Sequence, residues 1–134
     1  MSKAADNIGF DWKQWQSGQL PPLEYHSEKK LELLRDYLVL YLKIVLRNAP
    51  GKEIQEITLI DGFAGGGIYQ DSKFGSPLTI LKAVEEAEAL INFGRDKPTK
   101  IIPTCYFIEH DIDAHACLES CLKANGYGPK IGQT

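Results

Sequence analysis

Four glycines follow an acid in the middle of the chain, and this segment has the composition of a ligand-binding turn. Its sequence is Asp61-Gly62-Phe63-Ala64-Gly65-Gly66-Gly67. Glycine permits positive φ and lets the backbone approach a ligand closely, although ordering it costs entropy. Asp61 can accept hydrogen bonds from an ammonium group. The segment therefore predicts a binding turn, and a glycine-rich turn without a ligand is the alternative.

A second acid follows the next apolar segment. Glu109 comes directly after Tyr106-Phe107-Ile108, and Asp111 stands two residues later. A carboxylate suits a diol because its two acceptor oxygens can meet two hydroxyl donors. Glu109 is therefore either a sugar-binding acid or a solvated acid at the end of a strand.

The residues after the glycines bear on the class of ligand. A dinucleotide site has the pattern G-x-G-x-x-G and a helix N-terminus aimed at the pyrophosphate. Here Gln70 stands where the third small residue belongs, and the next helix is predicted to start only at Ser76-Pro77. No Gly-Lys-Ser/Thr follows, which also disfavours a P-loop. These departures weaken a dinucleotide assignment.

Alternating helices and strands are predicted to position the two acids. The pattern predicts a helix capped by Ser27 and ended by residues 48–51, a strand over 53–60, a helix over 77–92, a strand over 100–108 and a helix over 112–124. This alternation implies an α/β fold with parallel strands and right-handed crossovers. Open α/β sheets bind ligands at the carboxyl ends of their strands.

The apolar residues predict which faces of these elements are buried. The first helix has two apolar faces, so its later part is expected to be largely buried. One face comprises Leu31, Leu34, Leu38, Tyr41, Leu42 and Val45, and the other comprises Leu33, Tyr37, Leu40 and Ile44. The candidate buried strand residues are Ile57, Leu59, Ile60, Ile101, Ile102, Tyr106, Phe107 and Ile108. Pro103 predicts a bulge or a late strand start.

Composition excludes several classes of protein. The net charge of -3 over 134 residues gives no general attraction to phosphate backbones. Lys43 and Arg47 interrupt the longest apolar stretch, so no membrane span or membrane partner is expected. The three cysteines, Cys105, Cys117 and Cys121, are too few for a disulfide framework. We expect a cytoplasmic protein with free, buried thiols and no metal.

The motifs taken in order resemble a known family. They are His26-Ser27-x-x-Lys30, the segment from Asp61 to Tyr69, Gly75-Ser76-Pro77-Leu78 and Phe107-Ile108-Glu109, across residues 22–123. This set resembles the three-Cys-motif partner proteins of bacteria and archaea. Members have a class I methyltransferase-like, Rossmann-like domain and are named for a neighbouring three-cysteine protein. The resemblance implies that residues 25–134 are the N-terminal portion of such a domain. The mixed, polar composition of residues 1–24 predicts an arm before it, which Trp12 and Trp15 hold in place.

The resemblance also implies a cofactor, S-adenosylmethionine. Asp61 would help to hold its amino group and Glu109 would bind its ribose hydroxyls. The methionine and adenosyl parts would face Gly62, Phe63, Ala64, Gly65 and Gly67. His26 and Lys30 would close over the cofactor or contact substrate. Alternatively, they are solvated side chains at the start of the helix. Gly66 departs from the family, where proline is frequent, and we expect a looser turn.

Two functional hypotheses follow. One is methyl transfer from S-adenosylmethionine to an acceptor, for which nucleic acid is a candidate. A three-cysteine-motif protein is the candidate partner. The sequence identifies no residue as the catalytic base. The other is a non-catalytic nucleotide- or cofactor-binding module, or a truncated fragment that acts with a partner protein. Because family members are longer and only two sheet strands are predicted here, we expect the isolated chain to be inactive. We also expect it to self-associate through an unpaired sheet edge.

Overall fold

The computed structural model describes residues 10–47 and 54–128. Its elements are a 3₁₀ helix Trp12–Ser17, α1 Tyr25–Arg47, β1 Ile54–Asp61, β2 Ile68–Tyr69, a 3₁₀ turn Gln70–Ser72, β3 Lys73–Phe74, α2 Ser76–Asn92, β4 Lys100–Phe107 and α3 Ile112–Ala124. The predicted helix end at 48–51 and the first predicted strand residue, Glu53, lie outside the described residues.

The two long strands form a parallel pair. β1 and β4 run in register from Ile54 opposite Lys100 to Asp61 opposite Phe107, and α2 connects them. The α/β arrangement with parallel strands is therefore confirmed. Pro103 lies opposite Ile57 in an unbroken register that begins at Lys100, so the predicted bulge or late strand start is wrong. Within the described ranges β4 pairs only with β1 and is therefore an edge strand. An edge strand tolerates a proline because its outward N–H groups need no partner strand.

A short hairpin lies between the glycines and α2. β2 and β3 pair antiparallel, with Ile68 opposite Phe74 and Tyr69 opposite Lys73. Asp71 and Ser72 in the connecting turn have φ of 62° and 57°, a left-handed conformation that aspartate adopts more readily than most residues. Strands of two residues are too short for any alternation of polarity to reveal them.

The core consists of two clusters that both include α2. The first joins α1 and α2 to the sheet and contains Leu38, Val39, Leu42, Leu46, Ile80, Ala83, Val84, Ala87, Ile91 and Ile101. The second joins α2 to α3 and to the glycine turn, and contains Ala64, Leu78, Leu118, Cys121 and Leu122. Phe107 packs against both clusters, so the two halves of the core meet at the end of β4.

Several residues predicted as buried are exposed. On the strands, Ile60 is 69% exposed, and Ile102, Tyr106 and Ile108 are exposed as well. Successive strand residues point to opposite faces. Ile57, Leu59, Ile101 and Phe107 face the helices, whereas the other face has no cover among residues 10–47 and 54–128.

The first helix buries only one of its two apolar faces. Leu38 and Leu42 are buried, whereas Leu33, Tyr37, Leu40 and Ile44, together with Tyr41 and Val45, are exposed. The expectation of a largely buried helix is therefore wrong, because α2 and the sheet cover one side only.

The first helix also starts earlier than predicted, so Ser27 is not its N-cap. The Glu28 N–H donates to the Glu24 carbonyl at 2.9 Å, and the helix begins at Tyr25. None of the helices in the described ranges is long and apolar enough to cross a membrane.

Candidate functional site

The glycine turn starts where β1 ends. Gly65 and Gly67 have φ of 69° and 83°, a left-handed conformation in which a side chain is strained. A Cβ on Gly67 would also lie 2.9 Å from Leu118 Cδ1 on α3. Two of the four glycines are thus required by backbone conformation, and Gly67 by close packing as well.

The two acids singled out in the sequence both bind this turn. Asp61 Oδ1 accepts a hydrogen bond from the Phe63 N–H at 3.2 Å. Glu109 Oε1 accepts one from the Gly65 N–H at 2.8 Å, and its Oε2 accepts one from the Asp111 N–H at 2.8 Å. A carboxylate oxygen can accept more than one hydrogen bond, so each acid retains acceptor capacity for a ligand.

The turn is also fixed by its own backbone to the segment after β4. The Ile108 N–H donates to the Asp61 carbonyl at 2.9 Å, and the Ala64 N–H donates to the Ile108 carbonyl at 3.0 Å. These bonds continue the parallel pairing past the end of the sheet. They bring Glu109, the next residue, against the turn.

The N-terminus of α2 lies next to Asp61. Ser76 Oγ donates to Asp61 Oδ2 in a short hydrogen bond. The expectation that the late start of this helix keeps its N-terminus away from the turn is therefore wrong. The hairpin folds back and brings the start of α2 next to the glycine turn. A phosphate approaching this helix would meet the Asp61 carboxylate, which opposes the attraction that a free helix N-terminus exerts on anions.

Tyr69 is a site residue that sequence reasoning assigned no role. Burial raises the pKa of its hydroxyl, and the nearby Glu109 and Asp61 carboxylates raise it further. A Cβ on Gly65 would lie 3.4 Å from the Tyr69 hydroxyl, and one on Gly75 would lie 2.9 Å from its ring. The available signal was its position, two residues after the glycines at the end of the quoted motif.

An open cleft of about 260 Å³ lies between the glycine turn and the start of α1. Its lining comprises Leu23, Ser27, Lys30, Leu31, Leu34, Phe63, Ala64, Tyr69, Gly75 and Ser76. Lys30 thus lines this cleft. His26 is exposed and does not line the cleft. Phe63 is 95% exposed at the tip of the turn.

The N-terminal arm covers the other side of the turn. The Trp12 ring lies directly over Gly66, where any Cβ would overlap it. Phe10 and Tyr69 meet the same ring edge-on, with centroids at 5.1 Å and 6.5 Å. Trp12 thus occupies the space that a side chain at position 66 would take.

Polar contacts fix the hairpin to its surroundings. The Gln70 N–H donates to the Pro21 carbonyl at 3.0 Å, and its amide group donates to the Leu20 carbonyl at 2.9 Å. Lys73 Nζ donates to Glu28 Oε2 at 2.8 Å, and this hydrogen bond raises the pKa of Lys73. Gln70, which departs from the dinucleotide pattern, thus connects the hairpin to the arm.

The cysteines lie apart from this polar chemistry. Cys117 and Cys121 are buried and free, as predicted, and Cys105 is partly buried. Burial raises the pKa of all three thiols, that of Cys117 to about 11. Within residues 10–47 and 54–128, no three histidine, cysteine or acidic side chains are grouped so that they could hold a metal ion.

The chemistry of the site favours a ligand with several hydrogen-bond donors. The hydroxyls of Ser27, Tyr69 and Ser76 line the cleft, with Lys30 on its α1 side. Asp61 and Glu109 do not line it, but Asp61 accepts a hydrogen bond from Ser76, and Glu109 accepts one from the Gly65 N–H. No family model matches this chain, and no curated protein matches it.

Proposed function

We propose that the glycine turn binds S-adenosylmethionine and that the chain belongs to a methyltransferase-like protein with a Rossmann-like class I fold. One observation carries this proposal. Asp61 is the last residue of β1 and Glu109 follows the neighbouring parallel strand β4, and both carboxylates accept hydrogen bonds from the backbone of the same glycine turn. Ligands of open α/β sheets bind at this kind of edge.

The chemistry of the cofactor fits these residues. S-adenosylmethionine presents an ammonium group, a sulfonium and a ribose diol, and it carries no phosphate. Asp61 would accept from the ammonium group, and Glu109 would accept from the diol with the capacity that its backbone bonds leave free. A pyrophosphate would instead be repelled by the two carboxylates. The site therefore favours S-adenosylmethionine over NAD.

The fold agrees with this proposal at a coarser level. The order β1–α2–β4–α3, with a parallel strand pair and a glycine turn after the first strand, is compatible with the opening half of a Rossmann-like domain. The cleft is slightly smaller than the range of about 300–1,000 Å³ typical of small-molecule sites. We therefore expect the cofactor to extend from the cleft past Tyr69 towards Glu109.

The proposal includes the methyl acceptor and the partner. A nucleic-acid acceptor follows by analogy with the fold, and a three-cysteine-motif protein follows from the family resemblance. Lys30, which lines the cleft, would contact the cofactor or the acceptor. His26 stands one helical turn before it and would contact only a ligand that extends out of the cleft.

Calorimetric titration of the chain tests the cofactor assignment. S-adenosylmethionine and S-adenosylhomocysteine should both bind, and both more tightly than NAD. Glu109→Ala should weaken their binding, whereas Glu119→Ala, which removes a half-exposed carboxylate on α3, should not. Tighter binding of NAD would overturn the assignment.

A further inference from the structure

The outward face of α1 carries a continuous apolar stripe. It consists of Leu33, Tyr37, Leu40 and Ile44, whose side chains are between 48% and 68% exposed. These residues are spaced four, three and four apart, so at 100° per residue they lie along one line of the helix. The buried Leu38 and Leu42 lie on the opposite side. The stripe therefore faces away from the core.

This spacing is that of a two-helix seam. In heptad notation Tyr37 and Ile44 occupy a positions, and Leu33 and Leu40 occupy d positions. Scattered surface apolar residues need no explanation, but a contiguous stripe of large ones marks an interaction surface. Tyr41 stacks on Tyr37 beside the seam, with ring centroids at 6.1 Å and an interplanar angle of 16°. Tyrosine is among the residues enriched at protein interfaces.

The charges beside the stripe indicate what covers it. Asp36 and Lys43 occupy successive g positions on one flank of the seam. Both are exposed, and neither forms an ion pair with any residue in the described ranges. A partner helix that places a cation at Asp36 and an anion at Lys43 would therefore complement this flank.

A second copy of α1 in antiparallel orientation meets this requirement. In such a pair a positions pack against d positions, so Leu33 lies opposite Ile44 of the second copy and Tyr37 lies opposite its Leu40. The flanking g positions then face each other, and Asp36 of each copy meets Lys43 of the other. A parallel pair would place Asp36 beside Tyr41, an uncharged residue. Charge complementarity thus supports a second copy of α1 as the partner and favours the antiparallel orientation over the parallel one.

We propose that the chain forms a two-fold symmetric dimer through antiparallel packing of its α1 helices. The interface is isologous, because the same stripe and the same two charges serve both copies. This inference does not depend on the proposed cofactor. It also assigns self-association to a helix face instead of the unpaired sheet edge that the sequence suggested.

Charge reversal tests the pairing. Asp36→Lys and Lys43→Asp each place like charges across the interface, and each should raise the dimer dissociation constant at least tenfold in sedimentation velocity experiments at low salt. The double variant D36K/K43D restores opposite charges and should recover dimerisation. Both residues are exposed, so all variants should keep the circular dichroism spectrum of the parent chain. A monomeric parent, single variants that still dimerise, or a double variant that does not recover would each overturn the proposal.

Cysteine cross-linking tests the orientation. When a Leu33→Cys chain is mixed with an Ile44→Cys chain and oxidised, the mixed disulfide should predominate over either symmetric one. A predominant symmetric disulfide between two Leu33→Cys chains would indicate parallel helices and contradict the proposal. Ile60→Lys, on the uncovered face of the sheet, is the control and should leave the dimer intact. Loss of the dimer in that variant would place the interface on the sheet and overturn the assignment to α1.

Discussion

Glu109 Oε1 accepts a hydrogen bond from the Gly65 N–H at 2.8 Å, although the two residues are 44 positions apart in the chain. The acid proposed to bind the ribose is therefore also one of the groups that order the glycine turn. Its second oxygen binds the Asp111 N–H, immediately before α3. If the proposed cofactor binds here, its binding and the order of the turn would be coupled through this single carboxylate.

Removal of this carboxylate should weaken cofactor binding. We expect Glu109→Ala to cost about 1.5–3 kcal/mol of S-adenosylmethionine binding, the range for hydrogen bonds to charged groups. Calorimetry gives the affinity, with Glu119→Ala as the matched control. Unchanged affinity in a folded Glu109→Ala protein would show that the acid serves the turn alone.

The hydroxyl of Ser76 should stabilise the fold through Asp61. Ser76→Ala removes the donor to Asp61 Oδ2, and we expect it to lower the free energy of unfolding by about 1.5–3 kcal/mol, because the acceptor is charged. Urea denaturation measures this loss. Ser120→Ala, on the exposed surface of α3, should change it little. In an Asp61→Ala background the effect of Ser76→Ala should shrink, and purely additive effects would refute the coupling.

Gly66 and Gly62 should respond differently to a methyl group. Gly66→Ala drives a Cβ into the Trp12 ring and should destabilise the protein by about 1–3 kcal/mol, as overpacking does. At Gly62 an added Cβ meets nothing within 4 Å, so Gly62→Ala should be close to neutral in stability. Thermal denaturation compares the two variants. In a Trp12→Ala background most of the cost at Gly66 should disappear, and a cost that persists would exclude Trp12 as its cause.

The buried thiol of Cys117 should make stability depend on alkaline pH. Burial, with a smaller contribution from the neighbouring Cys121, raises the pKa of Cys117 from 9.0 to about 11. Because the folded state holds the proton more tightly, the stabilisation is complete below about pH 9 and is lost as the pH rises towards 11. Unfolding free energies measured across this range should fall less steeply for Cys117→Ala. Equal slopes in the two proteins would contradict the raised pKa.

The sequence predicted best what depends on local pattern. The parallel pairing of β1 with β4 and the bounds of α3 follow from periodicity, and the meeting of Asp61 and Glu109 at one turn follows from the parallel topology. Burial was predicted less well, because an apolar residue such as Ile60 or Tyr37 reveals its hydrophobicity but not which neighbour covers it. The role of Tyr69 depends on a hairpin too short to leave a pattern. The contact of Trp12 with Gly66 joins distant segments that no spacing connects.

The position of Trp12 gives the protein an optical reporter of its own site. The chain has two tryptophans, and the ring of Trp12 lies over the glycine turn and edge-on to Tyr69, which lines the cleft. Trp12 does not itself line the cleft, so a ligand there would reach the indole only through its contact with Tyr69. If a ligand that binds there moves Tyr69, emission from Trp12, measured in a Trp15→Phe chain, should report its binding without any attached label. The same indole serves every ligand tried, so chemically unrelated compounds can be ranked on one scale.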